Sequence, residues 1–446
     1  MMLWRMTACK LLHEERRTYD RAKSVQKRSQ CEKIRTFEVC VGSSLLYGPV
    51  VISDPLLGCP LTVAAGRVRA ARDGDESTYF VSGWGTTVEQ ALQGCLYEAD
   101  ETYFAQIIPE RRILRLCANA IDGRVVEPPS ILLFSEEQYD RREAGNRQPT
   151  PRNTVPARWD RSAPEDWILS DDKLGTEQAW VPAGLCFLGY DPGGEELSLP
   201  AADSNGLALG INPEDAAMSA LLELIERDAT SIWWYNRLVL PRIDPKSMAS
   251  DTASSYEDWL RRRGRELRLL RLTLDLAVPI VAAISSDSSG RCPAMGFAAG
   301  ASWSAAATRA VGELAQCEAN LALLSQQAQR QGTTRFTPGA WQLYRWHQET
   351  DLGLCPYLQG GNSGPACADE STLDYASCVK LCRERNLGIF AVILMQDEQR
   401  SLVRIFAPGL RSTKPRFGPG RLYSVPSTLG LRPANSNPIC RDPFPF

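Results

Sequence analysis

Residues 204–237 read as a polar turn at Ser204–Gly206, a short apolar segment and then a stretch in which apolar residues recur at helical spacing. Ala217, Leu221, Leu224, Ile225 and Ile232 form one stripe, which predicts a long helix with a buried face. Pro213 suits a first helical turn, and Glu214 and Asp215 suit the positive end of the helix dipole. Glu223 and Glu226 lie three apart on one face, with Arg227 within reach four residues after Glu223. Asp228 falls among the buried apolar positions, where an unpaired acid is costly.

Shorter apolar runs predict strands. Residues 46–70 read as strands around a turn at Asp54–Gly58, and Phe80–Ser82 as another apolar piece. Leu132–Phe134 is a short apolar segment, 179–189 a strand pair, and Ala277–Ile284 and Gly388–Leu394 buried strands. Residues 255–269 and 370–386 read as helices, and the Pro/Arg-rich stretch 136–165 as a surface loop. The fold class expected is mixed α and β (α+β), with helices alternating with strands.

One pattern recurs three times. From Gly85, steps of six, thirteen and sixteen reach Ala91, Glu98 and Glu101. The same steps lead from Gly210 to Ala216, Glu223 and Glu226, and from Gly300 to Ala306, Glu313 and Gln316. Each copy predicts a glycine-containing turn feeding a helix that presents an acid, with an acid or amide one turn later. The third adds Arg309, four residues before Glu313. Carboxylates gathered from three helices repel one another and need a cation. Hard oxygen ligands suit Mg2+ shared with phosphate, and Arg227 and Arg309 can grip phosphate oxygens in a fork. The pattern points to a Mg-nucleotide site, and the chain holds neither a Walker loop nor a kinase motif set.

Composition narrows the classes. A formal charge of −3 over 446 residues argues against a nucleic-acid binder. No apolar run approaches the length of a membrane span. Residues 1–36 are charged and mixed, without the apolar core of a signal peptide, and read as a basic arm or loose extension. The 14 cysteines are scattered with no C-x-x-C pair, which favours reduced thiols in a cytoplasmic protein. Cys378 and Cys382, one helical turn apart, are a weak metal hint. Only His13 and His347 are present, and His347 reads as structural.

SNGLALG and LLELIERDA in the second copy, RAVGELAQ in the third, and GWGTTVEQA with EADE in the first resemble the YcaO domain. VRIFAPGLRSTKPRFGPGRLYSVP (403–426) resembles the D-protein, or SagD-like, branch, which forms azoline rings in ribosomal peptides. The resemblance spans roughly 46–446 and implies two regions, a charged extension at 1–45 and a YcaO domain at 46–446 with a proline-rich tail. It implies ATP and Mg2+ as cofactors, held by Glu98, Glu101, Asp215, Glu223, Glu226, Arg227, Arg309, Glu313 and Gln316. The metal ligands among them would be Glu98, Glu101, Glu223, Glu226 and Glu313.

The implied chemistry is ATP-dependent cyclodehydration. A Cys, Ser or Thr side chain of a precursor peptide attacks the preceding carbonyl, whose oxygen is phosphorylated and leaves as phosphate. The tail would bring the Pro445–Phe446 end to the active site, its prolines lowering the entropy lost on docking. The implied partners are the precursor peptide, a separate E1-like protein that binds its leader, a flavin dehydrogenase, and an oligomer or complex around them. Gly94 and Thr102 stand where the family usually has Ser and Arg, and Ala208 and Ile211 where it has Ser and Asn; neighbouring Asn212 offers a replacement. These departures keep two alternatives open, thioamide formation and a non-catalytic scaffold subunit.

Overall fold

A computed structural model describes residues 35–39, 45–46, 50–54, 58–71, 78–108, 113–147, 154–191, 199–248, 250–364, 372–432 and 439–445. The basic arm at 1–34 and Phe446 lie outside the described residues.

The first sheet is antiparallel, in the order β1 (Arg35–Val39), β2 (Val50–Asp54), β3 (Thr62–Arg69) and β4 (Thr78–Gly85). It takes in Arg35–Val39 from the segment read as an extension. Helix α1 (Val88–Phe104) packs on it through Ala91, Leu92, Cys95 and Ala99. A small sheet follows, β5 (Ile113–Cys117), β6 (Pro164–Leu169) and β7 (Trp180–Pro182).

Strand β8 (Leu207–Gly210) leads into helix α2 (Pro213–Asn236), the long helix read from the apolar stripe. Then come β9 (Pro241–Ile243), α3 (Asp251–Arg262), β10 (Arg265–Arg271), β11 (Ile280–Asp287), β12 (Ala294–Ala299) and α4 (Trp303–Gln331). Helix α5 (Pro338–Glu349), β13 (Gly361–Ser363), α6 (Tyr375–Glu384), β14 (Phe390–Gln396), β15 (Ser401–Phe406) and α7 (Arg421–Thr428) follow, with short helical turns between the elements. The central sheet runs β12-β11-β10-β9-β13, and β8 joins β14 and β15 in the order β14-β15-β8.

Alternation explains why β11 reads as an unbroken apolar run. Its Ile280, Ala282 and Ile284 face the core built around α2, while Val281 and Ala283 face the core built around α4. Successive strand side chains point to opposite faces, and both faces are covered.

Several expected elements differ. The helix at 255–269 ends at Arg262, because Gly264 turns the chain at φ +68° and the alternating RELRLLR then pairs as β10. The strand pair at 179–189 is one short strand followed by a helical turn at Ala183–Cys186. The stretch 136–165 is more ordered than its composition suggests. Ser135 and Gln138 form a capping box over Glu136–Asp140, and Arg158 pairs with Glu136 and Asp140.

Candidate functional site

The three sequence repeats are three strand-turn-helix units of the same construction: β4 into α1, β8 into α2, and β12 into α4. The repeated glycine ends its strand against the first turn of its own helix. A Cβ built on Gly85 would lie 2.9 Å from the Ala91 nitrogen, on Gly210 2.4 Å from that of Ala216, and on Gly300 2.5 Å from that of Ala306. Backbone meets backbone there, so the G-x5-A spacing records a close approach rather than an unusual φ.

A third element of the repeat escaped the sequence reading. Two residues after each glycine stands an N-cap: Thr87, Asn212 and Ser302 accept from the amides of Gln90, Asp215 and Ala305. The common Thr/Asn/Ser at that offset was the available signal. Asn212, offered as a replacement nucleotide ligand, has its side-chain oxygen committed to this cap at 2.9 Å. Asp215 belongs to the same turn, accepting from the Ile211 amide at 3.2 Å. It is exposed and lies ~12 Å along the helix from Glu223, so the structure does not gather it with the other acids.

Equal distances from cap to acid bring Glu98, Glu223 and Glu313 to matching places on their helices. Glu98 accepts from the Ser82 amide at 2.6 Å, and Gln316 donates to the Ser82 hydroxyl at 3.0 Å, which ties α4 to β4. Glu101 reaches across to β8 and accepts from the Leu209 amide at 3.0 Å. Arg227 lies 3.5 Å from Glu223 and 3.7 Å from Glu226, and Arg309 sits close enough to Glu313 to attract it.

Burial is the main influence on these acids. It lifts Glu101 to about 8, helped by the Glu223 charge and eased by the Leu209 amide. It lifts Glu313 to about 8, with Glu226 adding to the rise and Arg227 and Arg309 opposing it. Glu98 rises to about 7 against the Ser82 hydrogen bonds, and Glu223 to about 7 against Arg227. Arg227 acts on Glu223, Glu226 and Glu313 and Arg309 on Glu313, while Glu101 is attracted by Arg404, so the carboxyl groups outnumber the cations near them. Glu226 Oε1 and Arg227 Nε are buried without a hydrogen-bond partner. These two atoms face each other at 3.7 Å as an ion pair with no hydrogen bond, so the acceptor can still take a cation and the donor an oxyanion. Among the described residues no three His, Cys, Asp or Glu side chains form a metal cage by themselves. Mg2+ commonly binds through one or two carboxylates together with phosphate, and the spread-out acids suit that mode.

The other candidates resolve simply. His347 Nδ1 bonds the Pro293 carbonyl at 2.9 Å and is structural. Burial raises the Cys378 and Cys382 thiols to about 11 and 12, so neither offers a thiolate. Asp228 is buried and accepts from Arg421 at 2.7 and 2.9 Å and from the Arg411 amide at 3.0 Å. Its partners lie almost 200 residues away, which no local pattern reveals.

The tail packs rather than dangles. Phe444 is buried with its ring edge-on to Trp234 at 5.3 Å and Phe297 at 5.5 Å. Gln342 donates to its carbonyl at 2.8 Å, and Trp234 donates to the Asp442 carbonyl at 3.0 Å. Pro445 is buried beside it. Trp234 is ~12 Å beyond Glu226 along α2, so the tail lies at the far end of the acid-bearing helix.

Fold and site together define an α+β protein with a carboxylate- and arginine-lined site on three strand-turn-helix units. The family model for YcaO cyclodehydratases, ATP- and Mg2+-binding, matches residues 82–411, and the chain belongs to that family. Its cofactors are accordingly ATP and Mg2+. An uncharacterised protein of Methanothermobacter thermautotrophicus is 29% identical over 352 residues, 76% of this chain and 83% of that one. A heterocyclase solved with substrate and cofactor superposes with a TM-score of 0.76 at 25% identity, over 88% of this chain and 54% of that chain. The heterocyclase TruD gives 0.68 at 27% identity, over 80% of this chain and 51% of that chain. The chain thus spans about half the length of the heterocyclases it matches. No described helix is long and apolar enough to cross a membrane.

Proposed function

We propose that the chain is an ATP-dependent peptide cyclodehydratase that converts Cys, Ser or Thr of a ribosomal precursor peptide to thiazoline or oxazoline. The observation that carries this is the acid site: five carboxyl groups from three repeated helices, four of them held above the usual carboxylate range, beside Arg227 and Arg309. When bound, Mg·ATP supplies the phosphoryl group that turns an amide oxygen into a leaving group. Glu98, Glu101, Glu223, Glu226 and Glu313 would hold the metal, whose charge would favour their ionised forms. Arg227 and Arg309 orient the phosphate oxygens and offset charge that develops on them. Gln316, through Ser82, keeps α4 and β4 in register around Glu98.

The Pro445–Phe446 end belongs to the reacting-peptide side of the site. The docked Phe444 supports this, since it immobilises the residues just before that end. Leader recognition falls to a separate E1-like protein. A flavin dehydrogenase would act on the azoline afterwards. The setting is a cytoplasmic complex that makes bacteriocin-type natural products.

Glu223→Gln and Glu313→Gln should abolish Mg·ATP turnover in the purified chain assayed with its precursor peptide and partner, while the fold persists. Wild-type rates in both variants would remove this assignment, and no binding of Mg·ATP to the wild-type chain in isothermal titration would favour a scaffold subunit instead.

A further inference from the structure

Beside the acid site is a cavity that the nucleotide residues named above do not account for. Residues 200–205, α2, the end of β15 and the loop at 407–416 enclose it. Its charge is lopsided. Arg227, Arg404, Arg411, Lys414 and Arg416 line it against the single carboxylate of Asp203, five positive groups to one negative. The cavity adjoins the acid site directly, since Asp203 is close enough to act electrostatically on both Glu223 and Arg227.

Most of these cations are already engaged. Arg404 donates to the carbonyls of Cys186, Asn205 and Asp203, and Arg411 to those of Arg416, Gly418 and Pro419. Lys414 pairs with Asp203, whose carboxyl is pushed up by burial but pulled further down by Lys414, to about 2. Three donors stay unused. Arg416 is only 8% exposed, stacks its guanidinium 4.8 Å over the Phe134 ring, and leaves Nε unbonded. The Ser412 hydroxyl and Arg227 Nε are buried and unbonded as well.

A buried guanidinium is expensive unless its charge and donors are met, and the one carboxylate that attracts Arg416, Asp203, is already paired with Lys414. Burial drags Arg416 down to about 10, the mark of a charge lacking compensation. A neutral acceptor would bond these donors but would not offset the Arg416 charge, because Asp203 is already committed to Lys414. A group with negative charge and several acceptor oxygens would satisfy all three donors together. A tetrahedral oxyanion, with several acceptor oxygens on one centre, can accept from Arg416 Nε, Arg227 Nε and the Ser412 hydroxyl, which line the same cavity.

We propose that this cavity is an oxyanion subsite separate from the nucleotide's own phosphate contacts. It takes a phosphate dianion through Arg416, Ser412 and Arg227. Resting on the functional reading above, that phosphate is the one released when the phosphorylated amide oxygen leaves. Arg227, the one residue shared by both places, would hand it from the acid site to the cavity. In the ring-closed, phosphorylated adduct the carbon–oxygen bond breaks and its electron pair leaves with the phosphate, while the former amide nitrogen forms the C=N bond of the azoline and gives its proton to water.

The test is titration of the full chain with inorganic phosphate, first free of nucleotide and then saturated with Mg·ADP. Phosphate should bind in both states. Arg416→Gln should weaken phosphate at least about tenfold, as expected for loss of a charged hydrogen-bonding partner, with Mg·ADP affinity unchanged. Ser412→Ala should weaken it about threefold at little structural risk, and so decides the matter if Arg416→Gln fails to fold. Phosphate excluded by Mg·ADP, or equal loss of ADP and phosphate binding in Arg416→Gln, would show the cavity to be part of the nucleotide site and overturn the proposal. A chain that binds phosphate through Arg416 yet never binds Mg·ADP would sink the functional reading and leave the subsite standing.

Discussion

The raised acids make the nucleotide-free chain a poor holder of its own charges, and this is measurable as stability. In the fold Glu101 and Glu313 titrate near 8, and Glu98 and Glu223 near 7, against 4.5 for an ordinary glutamate. Between those limits the folded chain binds more protons than the unfolded one. Stability is therefore present at low pH and lost as pH rises through about 5 to 8. One unit corresponds to ~1.4 kcal/mol, so the full shift of Glu101 would amount to roughly 4–5 kcal/mol. Part of that shift belongs to Glu223, and the site keeps contact with solvent, so we expect about 2 kcal/mol from one residue. Against a total of roughly 5–15 kcal/mol this is large.

Urea unfolding of the nucleotide- and metal-free chain should show a midpoint that falls between pH ~6 and ~8.5. Glu101→Gln and Glu313→Gln should each raise the midpoint at the higher pH and change little at the lower, because glutamine cannot ionise. Mg·ATP should flatten the dependence in the wild-type chain, since a bound cation favours the charged carboxylates. A wild-type midpoint that stays level or rises, or a glutamine variant that is weaker at high pH, would refute the account of the acid site as uncompensated.

Two further substitutions probe what holds the site. Arg421→Met strands the buried Asp228, which keeps only the Arg411 amide, removes the bidentate partner of Asp275, and should cost about 3–5 kcal/mol in urea unfolding; the pair Arg421→Met with Asp228→Asn should recover much of that, and no recovery would mean that the cost lies with Asp275 or with packing and not with Asp228. Phe444→Ala opens a hole between Trp234 and Phe297 and should cost about 3–5 kcal/mol. Deleting 442–446 should depress ring formation far more than Mg·ATP binding, and full cyclisation by the truncated chain would show that the Pro445–Phe446 end takes no part in the chemistry.

Local periodicity carried a good deal. The stripe through α2, the continuous run of β11 and the thrice-repeated glycine, alanine and acid all act over one helix or one strand, where spacing translates directly into faces. The repeat even held its own caps at Thr87, Asn212 and Ser302, legible once the common offset is noticed. Where short-range preference was divided, tertiary pairing decided. Residues 265–271 carry both helical and alternating patterns, and the strand won because β9 and β11 offered hydrogen bonds on either side. The site's outer half was beyond reach for a different reason. Asp203 meets Lys414, Asp228 meets Arg421, and Arg416 meets Phe134 across hundreds of residues. Sequence determined which helices would carry charge; only the folding of β8 and β15 together decided which of those charges are compensated and which are left to a ligand, because charge balance in a low-dielectric interior depends on neighbours in space and not along the chain.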